Sequence, residues 1–115
     1  MKKLLISLIL FLIFACFISA QELPKITIIN NTGYPVYMIF VSPNDEDSWG
    51  EPALEGQTIE TGNSVEIRLK VPLTVTSVYD ILLVDTDDDT YSKFAVKVKA
   101  NEKIEFTFDD FVNYE

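Results

Sequence analysis

The amino-acid sequence predicts an all-β protein, a small antiparallel β-sandwich of six to seven strands preceded by an N-terminal signal helix. Short segments of alternating or continuous apolar character recur between residues 25 and 110, and turn residues separate them. Short strands at such regular spacing are typical of sandwiches. No segment after residue 20 keeps the sustained 3.6-residue apolar period of an amphipathic helix.

The first two predicted strands are "KITIIN" and "YPVYMIFV", and the "NNTG" segment between them consists of turn-forming residues. "SVEIRLKV" alternates most cleanly, with apolar residues on one face and charged residues on the other. "VYDILLVD" is more continuously apolar, which predicts a central strand covered on both faces. A brief edge strand at "QTIE" would be the seventh strand.

The last two strands, "YSKFAVKVK" and "KIEFTFDD", are predicted to form a hairpin closed by the tight "ANE" turn. Alternation directs the lysines outward, where they would face Glu102 and Glu105 across the turn. The residues expected to point into the core are Phe94, Val96, Val98, Ile104, Phe106 and Phe108.

The first 20 residues have the layout of a secretory signal peptide. Two lysines are followed by a short apolar run, and "ISA" at 18–20 offers a small-residue cleavage site. The apolar run is short for a spanning helix, which needs about 20 apolar residues. We therefore predict a signal peptide at 1–20 and one secreted or periplasmic β-sandwich domain at 21–115. An uncleaved N-terminal anchor is the alternative.

Cys16, the one cysteine of the chain, offers a further alternative. In "IFAC" the small Ala15 precedes the cysteine, which resembles a loose bacterial lipobox, although Phe14 fits that pattern poorly. A lipid on Cys16 would make the protein a membrane-anchored lipoprotein. A single acyl chain binds a protein to the membrane only weakly. Cleavage after Ala20 is favoured, and lipidation at Cys16 stays open.

The chain is strongly acidic, with a formal net charge of −9. Loss of Lys2 and Lys3 with a signal peptide leaves seven basic against 18 acidic residues, a net charge of −11. Nucleic acid is therefore not an expected partner, because phosphates attract basic surfaces. Anionic lipid is disfavoured for the same reason, so we expect membrane contact only through a lipid anchor or an uncleaved signal.

The residue inventory argues against an enzyme. The chain has no histidine, and Cys16 leaves with the signal peptide, so Ser-His-Asp and Cys-His catalysis and the usual zinc sites are excluded. A hydrolase that uses two carboxylates across a cleft is the disfavoured remaining option. We expect no catalytic residues and no cofactor, with calcium as the one alternative.

That alternative depends on "DTDDDT" at 85–90, in which Asp85, Asp87 and Asp89 have the 1-3-5 spacing of a calcium loop. The EF-hand pattern then fails, since Thr90 stands at the sixth position and Val96 at the twelfth. The favoured interpretation is a solvated hairpin turn, because aspartate is a common turn residue. A calcium-binding module that uses the Asp85–Asp89 loop stays the alternative function.

A long acidic loop at 42–56 carries Trp49, the only tryptophan. An exposed Trp49 could stack on a sugar or hold a partner protein, and otherwise it would fold back as a lid on the core. If "QTIE" is a true strand, the 43–51 and 85–90 loops lie at opposite ends of the sandwich. Without that strand they could share one end.

Three segments together, "NNTGYPVY", "VSPNDEDSWGE" and "YDILLVDTDDDTY", resemble a group of small, uncharacterised secreted bacterial β-sandwich proteins. The resemblance spans residues 28–92 and implies the fold and secretion, with no assigned activity. Such relatives tend to carry glycine in a "DGD" turn where this chain has Asp88, which favours the turn interpretation.

The predicted function is therefore a non-enzymatic binding or interaction module, secreted or in the bacterial envelope. We expect it to act as a monomer, with a protein or a carbohydrate of the cell envelope as its partner.

Overall fold

In a computed structural model that describes residues 23–113, the protein is all-β, as predicted, with six strands in two sheets. The predicted signal peptide and Cys16 lie outside the described residues. Within 23–113, no helix is long and apolar enough to cross a membrane. The strands are β1 (Lys25–Asn31), β2 (Val36–Pro43), β3 (Ser64–Arg68), β4 (Val78–Asp85), β5 (Thr90–Lys97) and β6 (Glu102–Thr107), followed by a 3₁₀ turn at Phe108–Asp110.

The two sheets have the strand orders β3-β1-β6 and β2-β4-β5. Three of the four strand pairs are antiparallel, as predicted, but β1 and β6 are parallel. The predicted hairpin between the last two strands is therefore wrong. The chain leaves β5 and crosses to the other sheet, where the Asn101 N–H donates to the Lys25 carbonyl at 2.8 Å.

Apolar residues at alternate strand positions fill the space between the sheets, as the alternating apolar pattern of the sequence predicts. Strand β4 is central in its sheet, as its apolar character predicts. Its outer face is only partly buried, at Val78, Asp80 and Leu82. Inner-facing side chains of both sheets form one hydrophobic cluster, and burial of such side chains is the main stabilising term of the fold. The largest fully buried apolar side chains are Tyr91, Phe106, Ile26, Ile28, Ile39, Ile81 and Leu83.

A β-bulge in β5 overturns the predicted direction of Phe94. Phe94 and Ala95 together oppose the single residue Asp80 of β4. Ala95 adopts φ +54°, and its N–H donates to the Asp80 Oδ1 at 2.9 Å. The extra residue breaks the period of two, so Phe94 points outward and is 64% exposed, whereas Val98 farther along is buried.

Lys93 was predicted to point outward, but it pairs with the buried Ile81 and its side chain points toward the other sheet. Its Nζ is 3.0 Å from the Asp110 Oδ1 and 5.3 Å from the centre of the Phe106 ring. Phe108, predicted to be in the core, is 54% exposed because the strand ends at Thr107 and a 3₁₀ turn begins. Its ring stacks on Phe111, with the centroids 5.4 Å apart.

The free edge of β2 is covered by the segment 53–59. Leu54 exchanges backbone hydrogen bonds with Ile39, and Ile59 does so with Val36. "QTIE" is thus a single bridge at Ile59 and not a seventh strand. Covering an edge in this way removes unpaired backbone groups that would otherwise pair with another chain.

Candidate functional site

The acidic hairpin between β4 and β5 is organised around Asp85, which has no exposed surface. Its Oδ1 accepts the N–H groups of Asp87 and Asp89, each at 2.9 Å, and its Oδ2 accepts the Tyr91 hydroxyl at 3.0 Å. Burial and the bond to Asp85 raise the pKa of Tyr91, so this hydroxyl stays protonated and donates at neutral pH. The Asp85 carboxylate therefore holds the turn together.

Asp88 occupies the position at which the turn needs a left-handed residue, with φ +63°. Its N–H donates to the Asp85 carbonyl at 3.0 Å, and the Tyr37 hydroxyl donates to its Oδ1 at 2.8 Å. Glycine is the usual residue at such a position, so Asp88 stands where a turn glycine was expected. Both observations support the turn interpretation of "DTDDDT".

The other proposed calcium ligands, Asp87 and Asp89, have exposed side chains. Among residues 23–113, no group of three or more acidic, histidine or cysteine side chains has the arrangement to hold a metal ion. Three carboxylates would in any case leave a calcium shell of six to eight oxygens incomplete. Calcium binding at Asp85, Asp87 and Asp89 stays the alternative, which the following melt can decide.

We predict that calcium will not raise the thermal unfolding midpoint. The Asp85 carboxylate is buried and already accepts three internal hydrogen bonds, so a cation would have to compete with them. The check is a set of melts in millimolar calcium, in magnesium as the control, and in a chelator. A ligand at a hundred times its Kd stabilises by about 2.7 kcal/mol, so a rise of several degrees confined to calcium would establish the calcium-binding alternative.

The two acidic loops lie at opposite ends of their sheet. Val36 pairs with Asp85, and Pro43 pairs with Tyr79, because β2 and β4 are antiparallel. The loop after Pro43 and the hairpin after Asp85 are thus about six residues apart along β4, or roughly 20 Å. They do not form a common site, although "QTIE" is not a strand.

Trp49 lies at the end of the sandwich where β2 finishes, and it is half-buried. Its ring centroid is 6.5 Å from that of Phe40 and 6.0 Å from that of Phe94. Phe40 and Phe94 project from the outer side of the β2-β4-β5 sheet, so this side of Trp49 packs on the outer face of that sheet. Trp49 also lines a cleft between the two sheets. It is not one of the residues of the buried core.

Beside these rings is a shallow depression of about 140 Å³, lined on one side by Trp49 and Phe94 and elsewhere by Glu46, Asp47 and Asp80. All the ionisable side chains that line it, within the described part of the chain, are acidic. We call this surface the Trp49 patch; it comprises Phe40, Glu46, Asp47, Trp49, Asp80 and Phe94.

Hydrogen bonds fix the loop that carries Trp49. The buried Ser42 donates its hydroxyl to the Ser48 carbonyl at 3.1 Å, next to Trp49 in the chain. Asn44 donates its N–H to the Val78 carbonyl at 3.0 Å and its Nδ2 to the Asp80 Oδ1 at 2.9 Å. The aromatic ring and the carboxylate are therefore held by the same short segment, which keeps the Trp49 patch preorganised.

Sequence reasoning found Trp49 but missed Asp80 and Phe94. One signal for Asp80 was available, since it is the single charged residue in the apolar run "VYDILLV". The bulge that turns Phe94 outward had no such signal, because "SKFAV" fits a regular strand.

No family model and no curated protein matches the chain. Among solved structures, it is similar to a protein from Eubacterium rectale whose structure was determined by NMR. The TM-score is 0.53 at 17% sequence identity, and the alignment covers 77% of this chain and 79% of that chain. The similarity shows a shared fold alone, so the resemblance to secreted bacterial sandwich proteins stays a prediction.

Proposed function

We propose that the protein is a non-enzymatic binding module, secreted or periplasmic, whose Trp49 patch takes a cationic side chain of a partner protein. The observation that carries the proposal is the depression in which two aromatic rings and three carboxylates line one small volume. Secretion is supported by the signal-peptide pattern of residues 1–20.

The lining of the depression favours a positive charge. An ammonium or guanidinium group over a tryptophan ring is attracted by the ring quadrupole, by about 0.5–2 kcal/mol. Carboxylates at the same place add a charge-assisted hydrogen bond. The Asp80 carboxylate is fixed in position, because the Asn44 Nδ2 and the Ala95 N–H both donate to its Oδ1. Neither of these two bonds uses Oδ2, which is the oxygen we assign to the cation.

The size and charge of the surface favour a protein partner over a carbohydrate. A volume of about 140 Å³ accommodates the head of one long side chain. The net charge of −9 attracts a basic partner over a distance and raises its association rate. Exposed aromatic residues in a fixed position are also the usual anchors of protein interfaces.

Substitution of Phe94 by alanine tests the proposal, with Trp49 emission as the readout. The probe is a short peptide of alternating glycine and arginine, titrated at low salt and at high salt. We expect Phe94→Ala to weaken peptide binding about 2- to 30-fold, since it removes one wall of the cation site. Salt should weaken binding to the unaltered protein because the attraction is partly between exposed charges.

Phe108→Ala is the matched control, because Phe108 is a similarly exposed phenylalanine outside the Trp49 patch. It should bind the peptide as the unaltered protein does. Equal losses in the two variants would contradict the proposal. So would a response of Trp49 emission to soluble oligosaccharides with none to the peptide, a result that would assign the patch to carbohydrate.

A further inference from the structure

A second opening lies between the two sheets, on the side where β2 and β3 form the edges. It is a cleft of about 300 Å³, within the lower range of small-molecule sites. Val41 contributes to its wall from one sheet, and Ile67 and Leu69 contribute from the other. Ile67 and Leu69 are buried core residues, so the cleft reaches into the hydrophobic interior.

Tyr79 of β4 forms part of the same wall and is 3% exposed. Its hydroxyl is buried and has no hydrogen-bond partner among the described residues. An unpaired buried polar group destabilises a fold, and native structures contain few of them. Burial also raises the pKa of Tyr79, so the hydroxyl is a protonated donor at neutral pH.

The charges at the cleft are balanced. Glu46 and Glu51 come from the loop on one side, and Arg68 and Lys70 come from β3 and the residues after it. The Arg68 guanidinium is already engaged with the Leu23 carbonyl at 2.8 Å. A balanced rim around an apolar interior gives no preference for a charged ligand, in contrast with the wholly acidic Trp49 patch.

We propose that this cleft binds a small, uncharged, mainly apolar molecule whose one oxygen accepts a hydrogen bond from the Tyr79 hydroxyl. The apolar walls remove the body of the ligand from water, and the single donor fixes its orientation, as in most small-molecule pockets. The cleft shares Trp49 and Glu46 with the Trp49 patch, so the two sites adjoin. Phe94 and Asp80 line the depression and not the cleft, so a change at Phe94 distinguishes the two sites.

The test compares two probes of similar shape, acetophenone and cumene, of which only acetophenone carries an acceptor oxygen. Each is titrated into the full-length protein and followed by amide chemical shifts. We expect saturable shifts around Leu69 and Gly50 and tighter binding of acetophenone. Tyr79→Phe should weaken acetophenone binding about 2- to 12-fold, the effect of one net hydrogen bond, and leave cumene unchanged.

The thermal midpoint of Tyr79→Phe separates a ligand-binding hydroxyl from a structural one. Removal of an unpaired buried hydroxyl should leave the midpoint unchanged or raise it by several degrees. Phe94→Ala should bind both probes normally, which distinguishes this proposal from that for the Trp49 patch. The proposal is overturned by absence of saturable shifts at millimolar acetophenone, by equal weakening of both probes, or by a midpoint drop of about 5 °C or more.

Discussion

Replacement of Asp85 by alanine is expected to lower the free energy of unfolding by about 3 kcal/mol. The substitution removes the acceptor of three hydrogen bonds, two from the turn N–H groups of Asp87 and Asp89 and one from Tyr91. Asp85 and Tyr91 are both without exposed surface, so the Tyr91 hydroxyl loses its carboxylate partner in the interior. A buried donor left without a partner costs about 1–3 kcal/mol, and more where the lost partner is charged.

The measurement is chemical denaturation of the variant, with Asp87→Ala as the matched control. Asp87 is exposed and lies two residues away, so its replacement removes the same charge from the same turn. The control should change stability by no more than about 0.5 kcal/mol. Asp85→Asn should fall between the two, since its amide oxygen can still accept the turn N–H groups. Similar losses for Asp85→Ala and Asp87→Ala would show that repulsion among the carboxylates, and not the hydrogen-bonded turn, dominates this hairpin.

The strands were predictable because burial of one sheet face imposes a period of two on the sequence. Strands β1 and β3 follow that period, and β4 has the continuous apolar run of a central strand. In β2 a register shift between Val36 and Met38 interrupts the period. Pairing was less predictable, since it depends on which sheet the chain enters after each turn. The "ANE" turn suits a hairpin locally, yet Asn101 at φ +63° directs the chain to β1 in the other sheet.

The candidate site was predictable only in part. Trp49 in an acidic loop marks a recognition surface by composition alone, whereas its neighbours depend on tertiary structure. Phe94 reaches Trp49 only because Ala95 takes up a left-handed backbone and Asp80 accepts its N–H. Alanine rarely adopts that conformation, so no local pattern indicates the bulge. The inter-sheet cleft likewise forms from residues of both sheets.

The segment "NNTG" was predicted as a simple turn, and the structure gives Asn30 a larger role. Asn30 is 1% exposed and ends the inner-facing series of β1. Its Nδ2 donates to the carbonyls of Tyr34 and Ile59, each at 2.8 Å. Its Oδ1 accepts from the N–H and the hydroxyl of Thr32, at 3.1 and 2.8 Å. The Asn30 side-chain amide thus connects β1 by hydrogen bonds to the crossover before β2 and to the segment that covers the β2 edge.

We expect Asn30→Ala to lower the free energy of unfolding by about 2–3 kcal/mol, because the Tyr34 and Ile59 carbonyls each lose one donor and the buried Thr32 N–H loses its acceptor. Asn31→Ala is the control in chemical denaturation. Asn31 is exposed and makes one side-chain bond, from its Nδ2 to Glu105 at 2.7 Å, so its loss should stay below about 1 kcal/mol. Equal losses for the two variants would mean that the segment is a replaceable turn, as its composition suggested.

The Asn30 and Asp85 networks also meet, so their effects should not add. Against the larger effects of burial and Asp85, an interaction with Thr32 lowers the pKa of Tyr91, and Tyr91 donates to Asp85. The Thr86 N–H donates to the Pro35 carbonyl at 3.0 Å, which joins the hairpin to the crossover segment. Residues in one network usually show interaction energies of about 0.5–3 kcal/mol. The double variant Asp85→Ala/Asn30→Ala should therefore lose less stability than the sum of the two single losses. Strictly additive losses would show that the hairpin and the crossover segment are energetically independent.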